Sequence, residues 1–187
     1  MSTQAISNWT IDPVHSEIHF KVKHLMINTV TGSFKKFDAS LETSKEDLTD
    51  AKISFAADVA SIETGLEMRD THLKSDDFFN AEKYPQLKFE STSFEKVGDT
   101  VYLLKGNITI RETTKPIQLD VEYGGKMVDF YGNTKAGFEI TGKLKRKEFG
   151  LSWDAVTEAG GVVVSDEVKL VLNVQMQLAA PQPPTGA

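Results

Sequence analysis

The chain has 187 residues, no cysteine, 40% hydrophobic residues and a formal net charge of −6, from 21 Lys plus Arg against 27 Asp plus Glu. One domain of this size buries a sizeable core without staples, and the missing thiols exclude a disulfide framework, a thiolate nucleophile, an iron–sulfur cluster and a Cys-type zinc site. The acidic balance argues against nucleic acid as a partner and against a polybasic anchor, and without a run of 18 apolar residues no stable membrane insertion is expected.

In chain order, Met1 to Asn8 has neither a basic nor an apolar stretch. That predicts a flexible N-terminus over 1–8, no secretory signal and a cytoplasmic location, or a periplasmic one if a signal has been removed. From Ser16 to Lys23 apolar and polar residues alternate, the period of a half-buried strand. Ile18, Phe20 and Val22 share one face, and Glu17, His19, Lys21 and Lys23 the other. Val30, Gly32 and Phe34 repeat the row. Phe37, Ala39 and Leu41 continue it with opposite parity, so one residue must be absorbed near Lys35-Lys36, and a β-bulge is the cheapest device. Further rows are Ile53-Phe55-Ala57-Val59, Leu87-Phe89-Ser91, Leu104-Gly106-Ile108-Ile110, Ile117-Leu119-Val121-Tyr123, Ala136-Phe138-Ile140, and the long row from Val168 through Leu170 and Leu172 to Leu178. Gly-centred loops are expected at Val97-Gly98-Asp99, Tyr123-Gly124-Gly125 and Ala159-Gly160-Gly161. The Pro-rich end, 179–187, reads as a disordered tail, which leaves one domain over 9–178.

Between the third and fourth rows the period changes. Thr64-Gly65-Leu66-Glu67 matches a capping box, with Thr64 as N-cap and Glu67 as N3. The helix that follows puts Leu66 and Leu73 on one face with Arg69 and Asp70 between them, and His72 at its margin. Ser75 then starts a turn carrying Phe78 and Phe79.

Eight antiparallel strands, each with one apolar face, make a sandwich or a barrel; a barrel removes the edges, and eight strands leave an interior that side chains fill or that one small ligand occupies. Small inward residues (Gly32, Ala57, Ser91, Gly106, Ala136) stand beside bulky ones (Phe20, Phe34, Phe89, Phe138). That pattern fits either a solid interlocked core or a hollow one.

Chemistry-bearing motifs are few. HExxH, GxSxG and a Walker loop are absent. His15 and His19 sit about 13 Å apart along a strand, too far to share a metal. His24 closes an inward row and can meet His72 at one end of the barrel. Asp76-Asp77 reads as a solvated or capping pair, and Lys143 to Lys147 as a solvated strand end.

Read together, several strings resemble the bacterial YceI-like, polyisoprenoid-binding domain family. They are Ile11-Asp12-Pro13-Val14-His15-Ser16, Met68-Arg69-Asp70-Thr71-His72-Leu73 with Asp76-Asp77-Phe78-Phe79, Tyr84-Pro85, Thr114-Lys115-Pro116-Ile117, Phe149-Gly150-Leu151-Ser152-Trp153 and Ser165-Asp166-Glu167-Val168. The resemblance implies an all-β fold, an eight-stranded antiparallel lipocalin-like barrel with a short helical insertion. It implies a homodimer, no enzyme activity, and no cofactor beyond a bound isoprenoid lipid, a polyprenyl phosphate or a quinone, held for carriage or sequestration. The expected apolar tunnel comprises Ile18, Phe20, Val22, Phe34, Phe55, Leu73, Phe78, Phe89, Ile108, Leu119, Phe138, Leu170 and Leu172. From helix spacing and strand parity, His24, Arg69 and His72 form a polar mouth. Two competing readings are an enzyme acting on a lipid headgroup through His24, His72 and Arg69, and a solid-cored interaction domain.

Overall fold

The computed structural model describes residues 5–154 and 163–180. Its strands are β1 (Ser7–Ile11), β2 (Glu17–His24), β3 (Asn28–Phe34), β4 (Phe37–Thr43), β5 (Lys52–Asp58), β6 (Ile62–Glu63), β7 (Gln86–Lys96), β8 (Val101–Ile110), β9 (Thr113–Val128), β10 (Thr134–Lys145) and β11 (Val164–Leu178), with one α-helix, α1 (Glu67–Lys74). The order β1-β4-β5-β7-β8-β9-β10-β11 closes on itself, because β11 pairs back onto β1. That ring is a closed, eight-stranded antiparallel barrel.

The hairpin β2–β3 prolongs the pair β1–β4: Thr10 faces Ser40, and farther along Ile18 faces Phe34. Hence β1 and β2 are one bent strand, interrupted by a 3-10 turn at Pro13–His15. β3 and β4 are a second, broken at Lys35-Lys36. The parity slip therefore falls where the alternation puts it, but as a break rather than a bulge. Lys35 N donates to Ser61 O and Lys36 N to Ser61 Oγ, so the interrupted backbone finds partners outside the ladder. β11 spans both halves, pairing with β2 along its first part and β1 along its last.

Two boundaries differ from the sequence reading. Ser7 and Asn8 belong to the barrel, facing Thr43 and Glu42. Gly124 and Gly125 lie inside β9, not in a loop: Gly125 has φ +100°, and the register to β10 shifts beside Gly137, so the glycines make a bulge. The turn comes later, where Asp129 Oδ1 accepts from the backbone of Tyr131 and Asn133. The expected loop at 159–161 and the end of the tail, 181–187, lie outside the described residues.

The two barrel ends are built differently. At the end holding the β7–β8 turn, the β4–β5 connection folds inward, burying Leu48 and Ala51. Phe94 stacks on Tyr102 at 4.6 Å, and the Tyr102 hydroxyl donates to Asp47 O at 2.7 Å. The opposite end, beyond His24, Leu144 and Val164, is covered by α1, by Phe78 and Phe79, and by the strap 149–154.

Candidate functional site: a two-chamber barrel interior with a basic mouth

Inward rows from every wall enclose a deep chamber of about 140 Å³. A second, outer chamber of about 550 Å³ lies between the barrel rim, α1 and the strap. Of the expected tunnel residues, Ile18, Phe55, Phe89, Ile108, Leu119, Phe138 and Leu172 line the deep chamber, and Val22, Leu73 and Phe78 the outer one. Phe20, Phe34 and Leu170 line both, as do Leu87 and Leu144, so these five side chains stand between the two spaces.

The small inward residues do not hollow the barrel directly. A Cβ at Gly32 would fall 2.2 Å from Phe20 Cζ, one at Gly106 2.5 Å from Phe89 Cζ, and one at Gly142 2.3 Å from Leu119 Cδ2. Neighbouring side chains lie back over the bare glycine backbone. Space opens in front of them, on the barrel axis.

At the mouth, α1 does not start with a capping box. Gly65, at φ +88°, turns the chain, and Leu66 caps the helix without a side-chain hydrogen bond. Thr64 is instead the anchor of the second turn. Its backbone N–H (2.8 Å) and its hydroxyl (2.6 Å) donate to Asp70 Oδ1. Arg69 Nε donates to Thr64 Oγ1 and its Nη2 to Thr64 O, both at 2.6 Å. These bonds fix the Arg69 guanidinium on the chamber wall. His72 Nε2 lies 2.8 Å from Asp77 Oδ2, with its ring edge-on to Phe78 and Trp153 at 5.1 and 4.8 Å. His24, Arg69 and His72 all line the outer chamber, together with Lys23.

Arg146 is the residue that sequence reasoning misplaced. Expected on a solvated strand end, it is only 4% exposed. Nε donates to Ser165 O, Nη1 to Leu151 O and Trp153 O, and Nη2 to Val164 O, at 2.7–3.0 Å. The guanidinium thus stitches the strap to the start of β11. Burial lowers its pKa, while Asp154 and Asp166 pull it back up. The strand alternation ends at Lys145, and the carbonyls that Arg146 serves, two on the strap and two at the first residues of β11, lie outside any periodic row. Among the described residues, the outer chamber is lined by Lys23, Arg69, Arg146, His24 and His72, with no carboxylate side chain.

The YceI-like domain family matches residues 9–176. A UPF0312 protein of Photorhabdus laumondii is 37% identical over 93% of this chain and 88% of its own length. The YceI protein of Campylobacter jejuni superposes with a TM-score of 0.72 at 33% identity, covering 84% of this chain and 90% of that one. A polyisoprenoid binding domain from Saccharophagus degradans has the same fold, with a TM-score of 0.63 at 14% identity over 91% of this chain and 98% of its own.

Proposed function

Because this chain belongs to the YceI-like domain family, we propose that it binds an isoprenoid lipid inside its barrel, for carriage or sequestration. The observation that carries this reading is the pair of chambers walled by apolar side chains, with basic groups and no carboxylate at the outer one. A solid-cored interaction domain has no use for such a space.

The energetics need no catalytic group. An isoprene unit has five carbons, each worth about 0.8 kcal/mol when taken out of water, so a fully buried unit gives up to about 4 kcal/mol. Micromolar binding needs about 8 kcal/mol net, and three or more buried units exceed that after ordering costs. The deep chamber is close to the ~150 Å³ of an engineered apolar cavity that takes up benzene. It therefore holds about one isoprene unit as it stands, and the outer chamber takes the units that follow. Among headgroups, phosphate fits the mouth better than a neutral quinone ring: Arg69 keeps guanidinium donors beyond those given to Thr64, and Lys23 of β2 also lines the outer chamber.

Organic extraction of the purified protein followed by mass spectrometry is expected to find a prenyl lipid. In solution, the protein should bind a prenyl phosphate more tightly than the matching prenyl alcohol, and Arg69→Gln should narrow that gap. A protein that takes up neither probe would refute the proposal.

A further inference from the structure

We propose that the mouth is also a membrane-docking lip, which seats the outer chamber on an anionic bilayer through the β2–β3 hairpin tip and the first turn of α1. The docking rests on the lipid-binding reading only for its purpose; its evidence is separate.

The hairpin tip is Leu25-Met26-Ile27, with Met26 62% and Ile27 86% exposed. Leu25 and Met26 have φ of 53° and 60°, a left-handed pair that favours Asn-Gly and disfavours branched or bulky side chains. Two bulky apolar residues thus occupy a conformation that suits them poorly, and with Ile27 they stand in water. The tip follows directly on His24, which lines the outer chamber together with Leu66 and Met68, and Met68 is 81% exposed.

Charge gives the lip its partner. On the outer barrel wall below the tip, Lys143 pairs with Lys169, and Lys169 with Lys21, placing three ammonium groups in one row across three strands. Like charges directly opposite destabilise a sheet. Only Lys143 has a carboxylate within ion-pair distance, Glu167 at 3.6 Å; among the described residues Lys21 and Lys169 have none. The row starts four residues before the tip, about 13 Å along β2, and the first turn of α1 carries Glu67 and Asp70, so in a molecule of net charge −6 it is the lysine row on the hairpin side that matches an anionic lipid surface, while the helix contributes Met68. No helix among the described residues is long and apolar enough to cross a membrane, so contact is interfacial and reversible. The mouth then opens against the leaflet, and a tail passes between bilayer and barrel without crossing water.

A second exposed tip supplies the control. At the far end of the barrel, Phe130 and Tyr131 stand free in the β9–β10 turn, away from the chamber. The test is sedimentation with phosphatidylglycerol–phosphatidylcholine vesicles against pure phosphatidylcholine ones. The full chain should bind the anionic vesicles, and less so at high salt. Met26→Ser with Ile27→Ser should weaken binding about tenfold or more. Lys21→Gln with Lys169→Gln should weaken it about fivefold per lysine and flatten the salt dependence. Phe130→Ser with Tyr131→Ser should change nothing. Uptake of a soluble short-chain prenyl probe should be the same in all variants. Loss of probe uptake with vesicle binding intact would overturn interior lipid binding and leave the docking surface standing. The docking proposal falls if the wild type ignores anionic vesicles, or if the Phe130/Tyr131 variant loses as much as the Met26/Ile27 one. It also falls if sedimentation velocity shows the tip buried in a dimer that Met26→Ser with Ile27→Ser dissociates.

Discussion

The deep chamber makes a quantitative claim, because Leu170 stands between it and the mouth. Leu170 on β11 pairs across the sheet with Gly142 on one side and Phe20 on the other. Leu170 lines both chambers, so Leu170→Trp can extend its indole into the free space where they meet. It should shut the deep chamber and leave the outer one open. The loss is what the deep chamber contributes: about one isoprene unit, up to about 4 kcal/mol, or nearly a thousandfold in affinity. Short chains, which the outer chamber alone accommodates, should lose little. The assay is a prenyl phosphate series of increasing length, titrated against wild type and variant, with circular dichroism confirming the barrel. In the wild type, affinity should climb with length and step up once a unit passes Phe20 and Leu170. In the variant the step should vanish. A Leu170→Trp protein that keeps the step, or loses short and long chains equally, would refute a passage between the chambers.

Three further outcomes are expected. Burial raises the pKa of Asp12, but hydrogen bonds and charge from Lys135 and His15 outweigh it and bring the group from 3.8 to about 2. Its side chain is 11% exposed, so the paired carboxylate contributes about 2 kcal/mol above pH ~4 and loses it as pH falls through ~2; Asp12→Asn should lower neutral-pH stability and flatten that part of the acid denaturation curve. Arg146→Met should cost about 3–5 kcal/mol in urea unfolding, since the carbonyls of Leu151, Trp153, Val164 and Ser165 lose their donor and Asp154 is left with Lys147 alone. The two glycines under aromatic rings should part company. A Cβ at Gly106 meets the Glu90 carbonyl at 2.4 Å, and backbone cannot move aside, so Gly106→Ala should lower the melting temperature. At Gly32 the obstacle is the Phe20 ring, which can swing into the chamber, so Gly32→Ala should weaken lipid binding more than stability.

What the alternation of residues made legible, and what it hid, divide along physical lines. Each barrel strand shows one face to oil and one to water, so rows such as Ile18-Phe20-Val22 or Val168-Leu170-Leu172 announce both strand and inward face. The closed ring follows, because an eight-stranded sheet with a single apolar face has few other ways to cover it. Contacts set by tertiary neighbours were not legible. Thr64 and Glu67 have the spacing of a capping box, yet Thr64 binds Asp70 and Arg69 instead, because Gly65 takes the chain out of line. Arg146 reads as one more cation in a basic run until the strap folds over it. The mouth was half visible: His24, Arg69 and His72 follow from parity and helical spacing, whereas Trp153 and Val164 arrive through a connection that carries no period.

The glycines explain how one barrel is both well packed and hollow. A small inward residue beside a large one reads equally as a filled core or an empty one, since sequence does not say which way the ring leans. Here Phe20 leans over Gly32 and Phe89 over Gly106. In each case the ring fills the gap at the wall and vacates the axis. The interior thereby keeps dense contacts at its perimeter, where they stabilise the sheet, and holds its free volume where a linear tail would run. Phe20 belongs to both arrangements: it covers Gly32 and also lines both chambers. A tail reaching the deep chamber must displace a ring whose resting place is bare backbone rather than a fitted pocket, which keeps that movement local to one side chain. The same reasoning limits what the barrel can hold without rearrangement. About one isoprene unit fits beyond Phe20, and any longer stretch in the deep chamber requires the rings over Gly32 and Gly106 to turn.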